Sequence, residues 1–210
     1  MKTPVFICFD TEDAVNPEAD DAALRLARIY SKAGIPACFF MVGEKARVLR
    51  ERGRKDVLDA LREHEIDYHG NFWFEFPEPA CVYGERLPWD EAVAMAHAIE
   101  TPGLNDVADI CGQFPVATCQ HQHNHSPQTS WAMRQAGVRV WNGGLGAPSP
   151  GPAWVMDMFV VSRASRGVST QGSWPCNFQS DPLDPSADKA AGDPKADFRA
   201  FQESFEKALA

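Results

Sequence analysis

Short, continuous apolar runs alternate with segments of helical period over the first two-thirds of the chain, and this alternation limits the folds open to it. The run Pro4-Val5-Phe6-Ile7-Cys8-Phe9 is short and β-prone, as a strand buried on both faces should be. Next, Ala22, Ala23, Leu24, Leu26, Ala27, Ile29, Tyr30 and Ala33 recur at helical spacing, with Asp20 or Asp21 placed to cap them and Gly34 to stop them. A second buried run, 37–42, follows. Strand, helix, strand in this order implies a right-handed βαβ crossover. The pattern continues with helices expected over 44–53 and 55–64, a strand over 65–69, helices over 89–100 and 104–111, a strand over 115–119, a helix over 130–135 and a strand over 138–141. Such alternation indicates an α/β fold with a parallel sheet or barrel.

Beyond Trp141 the regularity fails. Residues 142–194 are irregular and loop-rich, apart from a strand-like stretch at 155–161. Phe198, Phe201, Phe205 and Leu209 then mark an amphipathic helix over 195–209. With 210 residues and 44% hydrophobic content, the chain is long enough to bury the core of one domain, expected over 1–210. Its formal charge of −9 and the lack of any basic stripe argue against a nucleic-acid partner. No run approaches the ~18 apolar residues of a membrane span, and the N-terminus does not read as a signal peptide. The six cysteines contain no Cys-x-x-Cys pair, so reduced thiols in a cytoplasmic protein are expected.

Polar groups gather where strands should end. Asp10, Glu12 and Asp13 follow the first strand, His69 closes the third, and His121, His123 and His125 follow the strand near Val116. The C-terminal edge of a parallel sheet or barrel is where active sites form. Carboxylates with imidazoles at that edge suggest a catalytic divalent metal, zinc first, with a further carboxylate as base. Each feature also has an ordinary reading. Asp10-Thr11-Glu12-Asp13 suits a solvated turn with a helix cap, and a lone histidine is more often a packing residue than a ligand. His64 and His97, inside helical stretches, read as surface or packing residues.

Several of these pieces, in order, resemble the polysaccharide deacetylases of the NodB-homology type, carbohydrate esterase family four. Val5-Phe6-Ile7-Cys8-Phe9-Asp10-Thr11-Glu12-Asp13 is similar to the family's first motif in a variant form. Ala37-Cys38-Phe39-Phe40-Met41-Val42-Gly43 is similar to its second strand, and His64-Glu65-Ile66-Asp67-Tyr68-His69 to the opening of its second motif. Residues 113–115 and 131–138 resemble the approach to the third motif and the helix and strand after it. The resemblance implies a distorted (β/α) barrel. It also implies metal-dependent removal of an acetyl or other amide-linked group from a carbohydrate-like substrate. By position, Asp10 would be the catalytic base, Glu12 or Asp13 the metal carboxylate, and His69 the first histidine ligand.

The sequence departs from the family at three points. Trp73 stands where the second histidine ligand belongs, the third motif has no arginine to orient the base, and the final Leu-x-His strand is missing, so the barrel is expected to lack its last strand. His123 or a neighbouring histidine would then supply the missing imidazole, with Phe72 and Trp73 placed to stack on a sugar face. The alternatives are a catalytically inactive relative that binds a carbohydrate or other ligand in the same cleft, and a metal-binding protein built on the histidine-rich segment.

Overall fold

Period-two alternation along the strands divides the sheet into a face packed by helices and a face turned inward, and this division places Asp10 and His69. A computed structural model of the chain describes residues 6–72, 84–119, 126–143, 153–161 and 206. The chain divides into two units, Met1–Ser162 and Arg163–Ala210, and the first holds every element named below. Its strands are β1 (Cys8–Thr11), β2 (Cys38–Met41), β3 (Glu65–Tyr68), β4 (Ala117–Cys119), β5 (Val140–Asn142), β6 (Ala153–Val155) and β7 (Met158–Val161). Its helices are α1 (Pro17–Ala33), α2 (Gly43–Glu51), α3 (Lys55–Leu61), α4 (Trp89–Cys111) and α5 (Pro127–Ala136). The sheet order is β1-β2-β3-β4-β5-β7-β6, parallel throughout except for the antiparallel β6–β7 pair.

One face carries Phe39, Met41, Ile66, Tyr68 and Trp141, all buried in a single cluster with Ala27, Leu49, Leu61, Leu104 and Met133 of the helices. The other face carries Phe40, Ala117 and Cys119, with Cys38 and Val140 packed beside them. Register ties the rows together. Cys8 pairs with Cys38 and Cys38 with Glu65, while Asp10 pairs with Phe40 and Phe40 with Asp67. Tyr68 pairs with Thr118 and Cys119 with Asn142, so His69, Cys119 and Asn142 share the row at the C-terminal edge. The sheet is strongly curled. Cys119 Sγ of β4 lies 3.8 Å from Asp10 Oδ1 of β1, and Asn142 Nδ2 of β5 lies 3.7 Å from Cys8 Sγ. Contacts between strands three and four places apart in the order require the inward face to close on itself, as a barrel's does.

Asp67 anchors β4 from inside this face. Its Oδ1 accepts from the backbone N–H of Val116 (3.0 Å) and Ala117 (2.7 Å), and the Cys38 thiol donates to Oδ2 (3.2 Å). Burial raises the Asp67 carboxyl above the ordinary aspartate range, against the opposing pull of these donors. The native state therefore binds this proton more tightly than the unfolded chain does. That contribution to stability is complete below the unfolded pKa and is lost as pH rises through the folded one. Asp67→Asn keeps an oxygen for both N–H groups and should match or exceed wild-type stability at neutral pH, with the gap closing in acid. Asp67→Ala orphans two donors and should cost about 2–4 kcal/mol. Urea melts of the three proteins at neutral and acid pH check both statements.

Three elements differ from the sequence expectation. Helix α1 starts earlier, at Pro17, so Asp20 and Asp21 lie within it and Asn16 is its N-cap. The two helices expected over 89–111 are one, with Pro102 inside it. Proline removes a single N–H from the helix ladder, and packing on α2 and α5 carries the helix through. The strand-like stretch at 155–161 is a hairpin, β6–β7, with Met156 and Asp157 at its turn. Both have positive φ, 50° and 59°, the conformation of a type I′ turn. The helix expected over 195–209 lies outside the described residues except for Glu206.

Candidate functional site

The site forms at the C-terminal edge of the sheet, on the inward face. His69 follows β3 directly, and its backbone N–H donates to Met41 O at 3.0 Å. The chain then turns at Gly70, whose φ of 104° suits glycine. Gly43 N–H donates to Gly70 O (2.9 Å) and Glu44 N–H to Asn71 O (2.7 Å), so the N-terminus of α2 clasps the turn. Buried Glu100 of α4 secures it from the other side. Its Oε2 accepts from Tyr68 Oη (2.7 Å) and from Asn71 N–H (2.9 Å), while Asn71 Nδ2 donates to Ile99 O (2.7 Å). Burial, then the Glu100 charge, hold the Tyr68 hydroxyl well above its usual pKa, so it stays a donor. Glycine is required at Gly103 because a Cβ there would meet Tyr68 Oη and lie 2.7 Å from Asn71 Oδ1.

The His69 ring, 3% exposed, presents its two nitrogens to different partners. Nε2 lies 3.2 Å from Glu12 Oε2 and 3.9 Å from Asp10 Oδ2. Nδ1 lies 2.7 Å from Cys119 Sγ. Burial alone would lower the pKa of the imidazole. The Cys119 sulfur, then Glu12 and Asp10, outweigh it and hold the pKa well above the ordinary histidine value. Asp10 and Glu12 are about one-third exposed, at 36% and 34%. The arrangement is a buried imidazole facing two carboxylates that open to solvent.

These donors suit a divalent metal. Asp10, His69 and Cys119 each offer one ligand atom, all within 4.8 Å of one another. In a tetrahedral zinc site, nitrogen and oxygen ligands stand about 3.4 Å apart, given the usual bond lengths. The observed 3.2 Å between His69 Nε2 and Glu12 fits that edge.

Asp13 has a different setting. Its Oδ1 accepts from the N–H of Val15 (3.0 Å) and Asn16 (2.9 Å), and its Oδ2 from Asn16 Nδ2 (2.8 Å). Its carboxylate shapes the turn into α1, and it does not join the cluster of Asp10, His69 and Cys119. Two cations fix the same turn. Lys45 Nζ donates to Asp13 O (2.6 Å) and pairs with the buried carboxylate of Asp20. Arg52 pairs with Asp20 (3.1 Å) and donates to the carbonyls of Ala14 and Val15, each at 2.9 Å. The strand end carrying Asp10 and Glu12 is thus tied to α2.

Phe72 is 37% exposed and lies 5.3 Å from the Arg47 guanidinium, a cation–π distance. Trp73 and His123 lie outside the described residues, as do His121 and His125. His64 is a packing residue, buried against Phe39 with Nε2 2.9 Å from Ala27 O. His97 bridges α4 to Gln135 of α5 at 2.9 Å. The residue that sequence reasoning missed is Cys119. Its signal was positional: it ends β4, in register with His69 across the sheet. Among the described residues no two cysteines form a disulfide with each other, and no helix is long and apolar enough to cross a membrane.

No protein-family model matches the sequence, and no curated protein matches it. Solved structures do. One, from Mycobacterium smegmatis, is assigned as a polysaccharide deacetylase; at 16% identity it aligns over 97% of this chain and 71% of its own, with TM-score 0.63. Another, from Pseudomonas aeruginosa PAO1 and similarly assigned, is 16% identical over 90% of this chain and 56% of its own, with TM-score 0.53. A 4-alpha-glucanotransferase from Thermococcus litoralis matches 75% of this chain and 27% of its own, at 15% identity and TM-score 0.50. At such identities the likeness is one of architecture, and it agrees with the curled parallel sheet and its helical outer layer. The chain is built on the polysaccharide-deacetylase fold.

Proposed function

We propose that the protein is a metal-dependent hydrolase that removes an acetyl or other amide-linked group from a carbohydrate-like substrate, with zinc as the metal. One observation carries this reading: Nε2 of the buried His69 faces Glu12 at 3.2 Å and Asp10 at 3.9 Å, on the open edge of the sheet. His69 and Glu12 would hold the ion, and His123 would complete its protein ligands. Asp13 gives way to Glu12 in this role because its oxygens are engaged in the turn before α1. A bound divalent ion supplies Lewis acidity, polarising the scissile carbonyl and acidifying a water. Asp10, one row deeper and one-third exposed, takes the proton of the attacking water. Phe72 and Trp73 would stack on the sugar. The protein would act in the cytoplasm as a single 1–210 domain.

The test is acetate release from acetylated sugars and chitin-type oligosaccharides. Zinc-loaded protein should release acetate and lose this activity on chelation. Asp10→Asn should lower kcat by roughly 10²–10⁴-fold, the usual contribution of a general base, while still binding zinc. Equal turnover by Asp10→Asn, or no release from any acetylated sugar by the zinc-loaded protein, contradicts the proposal.

A further inference from the structure

Cys119 belongs to no part of this mechanism, yet it touches two of its residues. Its sulfur lies 2.7 Å from His69 Nδ1 and 3.8 Å from Asp10 Oδ1. Two roles fit a cysteine there: a metal ligand, or a residue that positions its neighbours. Distances separate them. Sulfur and nitrogen sharing a tetrahedral zinc stand about 3.6 Å apart, given Zn–S near 2.3 Å and Zn–N near 2.05 Å. The sulfur and Nδ1 are in direct contact, with nothing between them, whereas Nε2 faces the carboxylates of Glu12 and Asp10 across a spacing that fits an ion. The two ring nitrogens point in opposite directions, so an ion on Nε2 leaves Nδ1 to Cys119.

We infer that Cys119 is the positioning residue of this site: its sulfur accepts the Nδ1–H of His69, and its own S–H is directed at Asp10. This rests on the functional reading above and deepens it. A metal-bound histidine usually gives its second N–H to a carboxylate or carbonyl, which fixes the tautomer and aims the ring. Here a thiol fills that place, and the same atom reaches the base. One buried side chain, 4% exposed, thus orders both the ligand and the base. It does so beside a third motif, residues 120–125, that carries no arginine.

The test uses the full chain, stripped of metal, with Co(II) as the probe. Wild type should bind Co(II) and show ligand-field bands without an intense sulfur-to-cobalt charge-transfer band. Cys119→Ala should lower Co(II) affinity roughly 10–100-fold, the usual loss on removing such a partner. Cys119→Ser keeps an acceptor and should recover part of that loss, and Cys8→Ser, a thiol control, should bind as wild type does. An intense charge-transfer band lost in Cys119→Ala would make Cys119 a ligand and overturn the inference. Unchanged affinity in Cys119→Ala would overturn it too. Imidazole ¹⁵N shifts of the metal-free protein give a reading independent of the ion. At a pH alkaline enough to leave the ring neutral, His69 should carry its proton on Nδ1 in wild type and shift toward the Nε2–H form in Cys119→Ala. If wild type binds no Co(II) but this tautomer shift is seen, the metal-dependent function fails and the positioning role stands. If the shift is absent, the positioning role fails.

Discussion

Asp20→Ala is expected to cost the fold about 3–5 kcal/mol, the range for breaking a buried ion pair from one side. Asp20 is fully buried on α1 and pairs with Lys45, itself 1% exposed, and with Arg52. Removing it leaves a buried ammonium without its anion. Burial already pushes the Lys45 pKa down, and the Asp20 carboxylate is the largest influence opposing that. The loss reaches the site as well. Lys45 and Arg52 hold the carbonyls of Asp13, Ala14 and Val15, the turn that follows Glu12. A urea melt should show the midpoint fall, and metal affinity should weaken with it. A melt within 1 kcal/mol of wild type would mean that the pair contributes little and the turn is held by other contacts.

The strands and most helices were legible because their signals are local. The run 37–42 reads as a strand wherever it sits, and Gly34 stops α1 through a backbone conformation that glycine alone adopts easily (φ 66°). Asp10 and His69 were legible as candidates because both close expected strands, and register does place the edge rows together. What the sequence concealed depends on distant partners. Asp20 reads as a helix cap until Lys45, twenty-five positions on, is packed against it. Pro102 lies in the break between the two expected helices, yet packing on α2 and α5 carries one helix through it. Met156-Asp157 carries none of the glycine or asparagine that marks a type I′ turn, so the hairpin could not be distinguished from one strand. Cys119 looks like a small core residue in an apolar strand. Only the curl of the sheet, which brings β4 across to β1, gives it Asp10 and His69 as neighbours.

Calorimetric titration of zinc into the metal-stripped protein at neutral pH tests whether His69 and Glu12 hold a metal beside Asp10. His69 is more buried than Glu12, and it sits on a turn fixed by Met41, Gly43, Glu44 and Glu100. A zinc site binds with about 10–16 kcal/mol shared among its ligands, so His69→Ala should lose roughly 10²–10³-fold in affinity. The fold should survive, because the ring sits beside the sheet edge while the turn is held by backbone bonds. Wild type should bind one zinc per chain, and a folded His69→Ala protein should show a loss of that size. No binding by folded wild type, or equal binding by His69→Ala, would contradict it.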